Sequence, residues 1–136
     1  MKQDNCIFCK IIAGEIPSQA IYEDEKFRVI LDVAPAAKGH ALILPKDHYA
    51  NLYELADDLA ADTIRLAKKM MKVMTDKLGC DGFNILQNNG ETAGQTVFHF
   101  HMHLIPRYEN DGDILKYHPG NPDGKELEQI KKIITE

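Results

Sequence analysis

The residues best equipped for chemistry are three histidines at alternate positions, in the run His99-Phe100-His101-Met102-His103-Leu104-Ile105. On a β-strand, successive side chains alternate faces, so the three imidazoles share one face while Phe100, Met102 and Leu104 enter a core. Three readings are open. A chance polar face on a half-buried strand would normally mix Lys, Thr and Glu. One metal ion held by all three is opposed by distance. Neighbours on such a face stand about 7 Å apart and the outer pair about 13 Å, whereas a zinc–nitrogen bond is about 2 Å; two neighbours could share an ion. The third reading is catalysis by one imidazole with the others in support. A neutral imidazole is a nucleophile near neutral pH and forms covalent intermediates, and a second can hydrogen-bond a phosphate or move a proton.

The second chemical feature is the pair Cys6 and Cys9, with Cys80 the third cysteine of the chain. Three cysteines make a poor disulfide framework, and Met1 to Asn5 carries no basic segment followed by an apolar stretch. The compartment reads as the cytoplasm, where a Cys-x-x-Cys pair is expected to be a metal clip or a redox site. Its spacing is that of half a zinc site, which is completed to four ligands; His48 and His99 are candidate partners. The alternative is a pair of reduced cysteines on a buried helix. Cys80 reads as structural or incidental, and His118 receives no role.

Stepping outward, Cys6 to Ala13 reads as a short helix, stopped by Gly14 and Pro17. Ile21–Tyr22 and Phe27–Asp32 read as strands around a turn, and His40–Leu44 as a third, apolar enough for the middle of a sheet and ended by Pro45. A long helix follows. Asn51 with Glu54 has capping-box spacing, Leu52, Leu55, Leu59, Leu66, Met70 and Val73 recur near the helical period, and Gly79 offers a left-handed stop. Phe83–Gln87 and Val97–Arg107 are the fourth and fifth strands, separated by the polar loop Asn88–Gln95. After the loop Asn110–Gly124, Lys125–Ile134 reads as a last helix. Strands without regular helical alternation point to α+β with a mainly antiparallel sheet.

The chain has 136 residues, 44% hydrophobic and 27% charged, without internal repeat or linker, so residues 1–136 read as one globular domain with a tail from about residue 110. A formal net charge of -5 opposes general affinity for a nucleic acid polymer but not for a single nucleotide. No apolar run approaches the roughly 18 residues of a membrane span. Neither a Gly-rich Walker loop nor an Asp-rich metal cluster is present, which opposes a metal-dependent phosphatase.

The alternating pattern over His99 to Ile105 resembles the signature of the histidine triad (HIT) family. The resemblance continues through Asn88-Asn89-Gly90, Gly94-Gln95-Thr96-Val97, the segment Gly39 to Lys46 and the opening Cys6 to Ile12, thus covering roughly residues 6 to 108. It looks most like the bacterial Hit proteins of the Hint branch, nucleotide hydrolases that are typically purine nucleoside phosphoramidases. The resemblance implies a HIT-like fold with a five-stranded, mainly antiparallel sheet, one long helix and short flanking helices. It also implies a homodimer, although the long helix's apolar face is equally explained by covering the sheet.

By the same resemblance His101 is the nucleophile, attacking the α-phosphorus to give a nucleotidyl-histidine that water hydrolyses. Its other ring nitrogen should then donate to a fixed acceptor, commonly a backbone carbonyl. His103 and His40 are candidates for phosphate contacts, the Gly94-Gln95-Thr96 turn can aim amides at an anion, and Asn88 adds a side-chain donor. Thr96 stands where the Hint branch commonly has serine, and keeps a hydroxyl for the leaving group. Asp32 matches the aspartate that binds ribose hydroxyls, with turn capping as its rival role. Ile7, Phe8, Ile11, Ile30 and Val33 would wall the base, the rival being ordinary core. Some bacterial relatives close a zinc site with histidines from the segments of His48 and His99, so His99 is either a metal ligand, the preferred role, or a partner of His101. Zinc is then structural and not required for the chemistry. Two further functions stay open: a dinucleoside polyphosphate hydrolase, as in the Fhit branch, and a nucleotide-binding interaction protein with residual turnover.

Overall fold

A computed structural model describes residues 2–136; the Met1 end of the leader reading lies outside them. Helix α1 (Ile7–Ile12) is capped by the Cys6 side chain, which accepts from the Cys9 amide. Strands β1 (Ala20–Glu23), β2 (Phe27–Leu31) and β3 (Ala41–Pro45) follow, then helix α2 (Asp57–Leu78), strand β4 (Gly82–Leu86), a 3-10 turn (Glu91–Ala93), strand β5 (Met102–Arg107) and helix α3 (Gly124–Thr135). The strands form one five-stranded sheet in the order β1-β2-β3-β5-β4. Every neighbouring pair is antiparallel. The α+β expectation therefore holds.

Alternation along β3 divides the interior in two. Ala41 and Ile43 join Phe27, Val29, Met102 and Leu104 beneath Leu66, Ala67, Met70 and Met74 of α2. Leu42 and Leu44 face the other way, with Ile30, against Cys6, Phe8, Cys9 and Ile11. Because His103 pairs with Leu42 across β3 and β5, its side chain belongs to that second face. The sheet thus buries an apolar layer under α2 and presents its histidines toward α1.

Two expected boundaries move. Helix α2 begins at Asp57, not Asn51; its N-cap Ala56 gives no side-chain bond, and Asp57 and Asp58 face the positive end of the helix instead. The Asn51–Glu54 chemistry closes a separate turn: Asn51 Oδ1 accepts from the Tyr53 amide at 3.0 Å and Glu54 Oε2 from the Ala50 amide at 3.0 Å. Leu52 consequently lies outside the helix and is exposed. Strand β5 begins at Met102, not Val97, because its partner runs out. Ile43 pairs with Met102, which sets Pro45 opposite Phe100, and proline has no amide to continue the ladder. The Phe100 amide instead donates to the Tyr49 carbonyl at 2.6 Å.

Gly39 takes φ +87°, and a β-carbon there would stand 2.6 Å from Leu78 Cδ1, so glycine lets the end of α2 close on the β2–β3 connection. Gly79, φ 67°, ends α2 as expected. Helix α3 buries none of its residues, leaving Leu127, Ile130, Ile133 and Ile134 exposed. Among the described residues no helix is long and apolar enough to cross a membrane.

Candidate active site

The site forms where the chain enters β5. Phe100, Met102 and Leu104 pack into the layer under α2, which turns His99, His101 and His103 together toward α1 even though only His103 lies within the ladder. The rings of His101 and His103 are 5.1 Å apart, and Phe8 meets His101 edge-on at 5.1 Å.

The hydrogen bonds assign the ring protons. His101 Nδ1 lies 2.7 Å from the His99 carbonyl, which can only accept, so Nδ1 carries the proton and Nε2 keeps a lone pair. The Ala36 amide can only donate, to His40 Nδ1 at 2.9 Å, so the proton of His40 is on Nε2 and is given to His103 Nδ1, also at 2.9 Å. His103 therefore carries its own proton on Nε2. Burial holds His40 and His101 below the usual histidine range, against opposing pulls from Asp32 and, at His101, the stronger His99 carbonyl. Burial first, then His101 and His40, push His103 down to about 4. At neutral pH the cluster is one lone pair beside one N–H donor, both on uncharged rings. His40 stands behind His103 with both nitrogens engaged, so it supports the phosphate candidate and does not itself face outward.

The other expected residues divide. Asp32 Oδ1 caps a turn by accepting from the Ala34 amide at 2.9 Å, while Oδ2 lies 3.5 Å from His40 Nε2. Gln95 is buried: its Nε2 donates to the Ala50 and Val97 carbonyls at 2.7 and 3.0 Å, and its Oε1 accepts from the Gly90 amide at 2.8 Å. The Gly94 and Gln95 amides close the loop on Glu91 and Gly90 carbonyls. Asn88 lies against Gly94, whose Cα could not gain a β-carbon without one standing 3.4 Å from the Asn88 amide nitrogen. Phe8, Ile11 and Ile30 are buried in the second core, whereas Ile7 is 48% and Val33 98% exposed. A hollow of about 300 Å³ brings Ile7 together with Thr96, Val97, Phe98 and the metal-candidate residues Cys6 and His48. A larger one, about 480 Å³, lies across Tyr22, Lys26 and Asp62, away from the histidines.

Cys6, Cys9, His48 and His99 place one donor atom each within 4.8 Å of the others. The two Nδ1 atoms are 3.2 Å apart, and nitrogen–sulfur separations are 3.4, 3.5 and 3.6 Å. A tetrahedral ion bonded to nitrogen at about 2.0–2.1 Å and to sulfur at about 2.3 Å sets edges of about 3.3 and 3.6 Å. The donors fit. His99 Nε2 donates to the Pro45 carbonyl at 2.8 Å, which leaves Nδ1 unprotonated and available as a ligand. Amides of Cys9 and Gln3 donate to the two sulfurs, a pattern suited to thiolates. Burial first, and the neighbouring Cys9 thiol with it, pushes the Cys6 thiol up against the lowering effect of nearby backbone amides, and a bound cation would oppose that shift. The cluster can hold a metal ion and is compatible with zinc. His99 thus offers its Nδ1 to the metal-candidate cluster and its carbonyl to His101. Sequence reasoning missed Pro45, Tyr49 and Ala36, which act through backbone groups that carry no side-chain signature; only the proline was a visible interruption.

The HIT domain family model matches residues 13–110. The chain belongs to the HIT domain family. It is 44% identical to the Hit protein of Bacillus subtilis over 135 residues, 97% of this chain and 93% of that one. It is also 44% identical to an adenosine 5'-monophosphoramidase of Saccharomyces cerevisiae over 128 residues, 93% of this chain and 78% of the yeast protein. A crystal structure from Streptococcus mutans superposes with a TM-score of 0.92 at 41% identity, covering 98% of this chain and 85% of that one.

Proposed function

We propose that this protein is a nucleotide hydrolase, acting on purine nucleoside phosphoramidates or related nucleotidyl compounds through a covalent nucleotidyl-His101. The observation that carries the reading is the His99 carbonyl on His101 Nδ1, which leaves Nε2 unprotonated. That nitrogen attacks the α-phosphorus, the bond from phosphorus to the leaving group breaks, and the departing amine takes up a proton from water. Water then attacks the phosphorus of the intermediate and gives up a proton to solvent while the bond from phosphorus to Nε2 breaks, releasing the nucleotide and the imidazole. His103 Nε2–H is the donor to a phosphate oxygen, where preorganised hydrogen bonds act most strongly on developing charge. Asn88 and the exposed Thr96 hydroxyl extend this contact to the phosphate and leaving group. Asp32 Oδ2 takes the ribose hydroxyls, beside Ile7 and Val33 at the base. The yeast relative's named activity supports the substrate class.

Zinc is the ion we assign to Cys6, Cys9, His48 and His99; there it would hold three chain segments together and take no part in bond making. A homodimer is supported by the edge position of β4, whose Ile85 is exposed, as are Leu52, Tyr53 and Ile64. The test is hydrolysis of an adenosine phosphoramidate without added metal. Wild type turns over and His101→Ala loses at least about 10³-fold in kcat/KM; equal rates would remove the covalent mechanism. Near-stoichiometric zinc, lost in Cys6→Ser, is expected by elemental analysis.

A further inference from the structure

Residues 97–101 lie outside the β5 ladder, yet they include His101. The bonds that hold them come from elsewhere: Gln95 Nε2 to the Val97 carbonyl at 3.0 Å, His99 Nε2 to the Pro45 carbonyl at 2.8 Å, and the Phe100 amide to the Tyr49 carbonyl at 2.6 Å. His99 is the one residue of the segment that faces two sites. Its Nδ1 lies among the donors of Cys6, Cys9 and His48, and its carbonyl accepts from His101. Phe8, between the two cysteines, touches both rings, with centroids 5.8 Å from His99 and 5.1 Å from His101.

A ring held by a single hydrogen bond can still pivot about that bond, carrying its own peptide with it. Held at both nitrogens, it cannot. We propose that His99 is a positioning residue for the nucleophile: ligation of its Nδ1 sets its peptide so that its carbonyl keeps His101 in the Nδ1–H tautomer. This rests on the reading of His101 as nucleophile. When the peptide turns, His101 loses its acceptor, its proton redistributes to Nε2, and the attacking lone pair is lost from part of the population. The phosphate and ribose candidates, His103 and Asp32, belong to other elements, so the loss falls on kcat and leaves KM.

The experiment uses full-length protein with ring-¹⁵N histidine, compared as zinc-loaded wild type, chelator-stripped wild type and Cys9→Ser. The His101 ring shifts report its tautomer, and backbone amides of β3 and β5 report the fold. Loaded protein should show one Nδ1–H tautomer. The stripped protein and Cys9→Ser should show averaged ring shifts with unchanged sheet amides, and kcat about tenfold lower with KM within about twofold. An unchanged His101 signal after stripping would overturn the proposal, as would collapse of the sheet amides or failure of wild type to take up zinc. Turnover that survives in His101→Ala would refute the nucleophile reading separately, since the ring shifts need no substrate.

Discussion

His101 and His103 have the same side chain and opposite hydrogen-bonding roles, because different backbone groups fix their second nitrogens. A carbonyl fixes His101 directly; an amide fixes His103 through His40. Replacing His40 by alanine frees His103 Nδ1 and lets its proton move off Nε2. We expect kcat for phosphoramidate hydrolysis to fall about tenfold or more, while His101 still forms the nucleotidyl adduct detectable by mass spectrometry; wild-type turnover in His40→Ala would refute the relay. The same burial makes a pH prediction. His103 takes a proton at about 4 in the folded protein, against about 6.5 in the unfolded chain. Between those values the unfolded chain binds more protons, so stability rises with pH; His103's contribution is complete above about 6.5 and lost toward about 4. Melting temperature measured from pH 4 to 7 should slope less steeply in His103→Asn than in wild type.

At the scale of elements, the sheet and helices were legible because apolar periodicity reports burial, while boundaries depend on partners that lie far away in sequence. Asn51 and Glu54 do form capping bonds, on a turn six residues before α2 begins. Local bonding satisfied them there, and nothing local says whether a helix must follow. Val97–His101 keep the alternation of a strand without its ladder, since Pro45 ends the partner. Two substitutions test these connections. Gly39→Ala, with its β-carbon at 2.6 Å from Leu78 and φ of +87°, should lower unfolding free energy by about 1–3 kcal/mol in urea. Gln95→Ala removes three hydrogen bonds of a buried side chain, one tying the 87–97 loop to Ala50 and two closing it on its own Gly90 and Val97. Its cost should be about 1–3 kcal/mol per group left unsatisfied, with faster amide exchange in that loop; unchanged exchange would show that the loop is held by other bonds.

For the whole molecule, the thiol–imidazole cluster brings together α1, the segment after β3 and the segment before β5, three parts of the chain far apart in sequence. Metal removal is therefore expected to lower the melting temperature by about 5–10 °C, whereas Cys80→Ser, outside the cluster, should leave the metal-dependent difference intact. Differential scanning calorimetry with and without chelator decides this. The sequence alone determined the α+β class, the shared face of His99, His101 and His103, and family membership, because these follow from spacing and residue type. Only the tertiary structure decided that His40 lies behind His103, that the Gln95 side chain turns inward, and that His99 places its Nδ1 among the thiols and its carbonyl against His101. Those outcomes depend on which backbone N–H and C=O groups arrive from distant residues such as Ala36, Pro45 and Tyr49, and every residue carries the same backbone groups whatever its side chain.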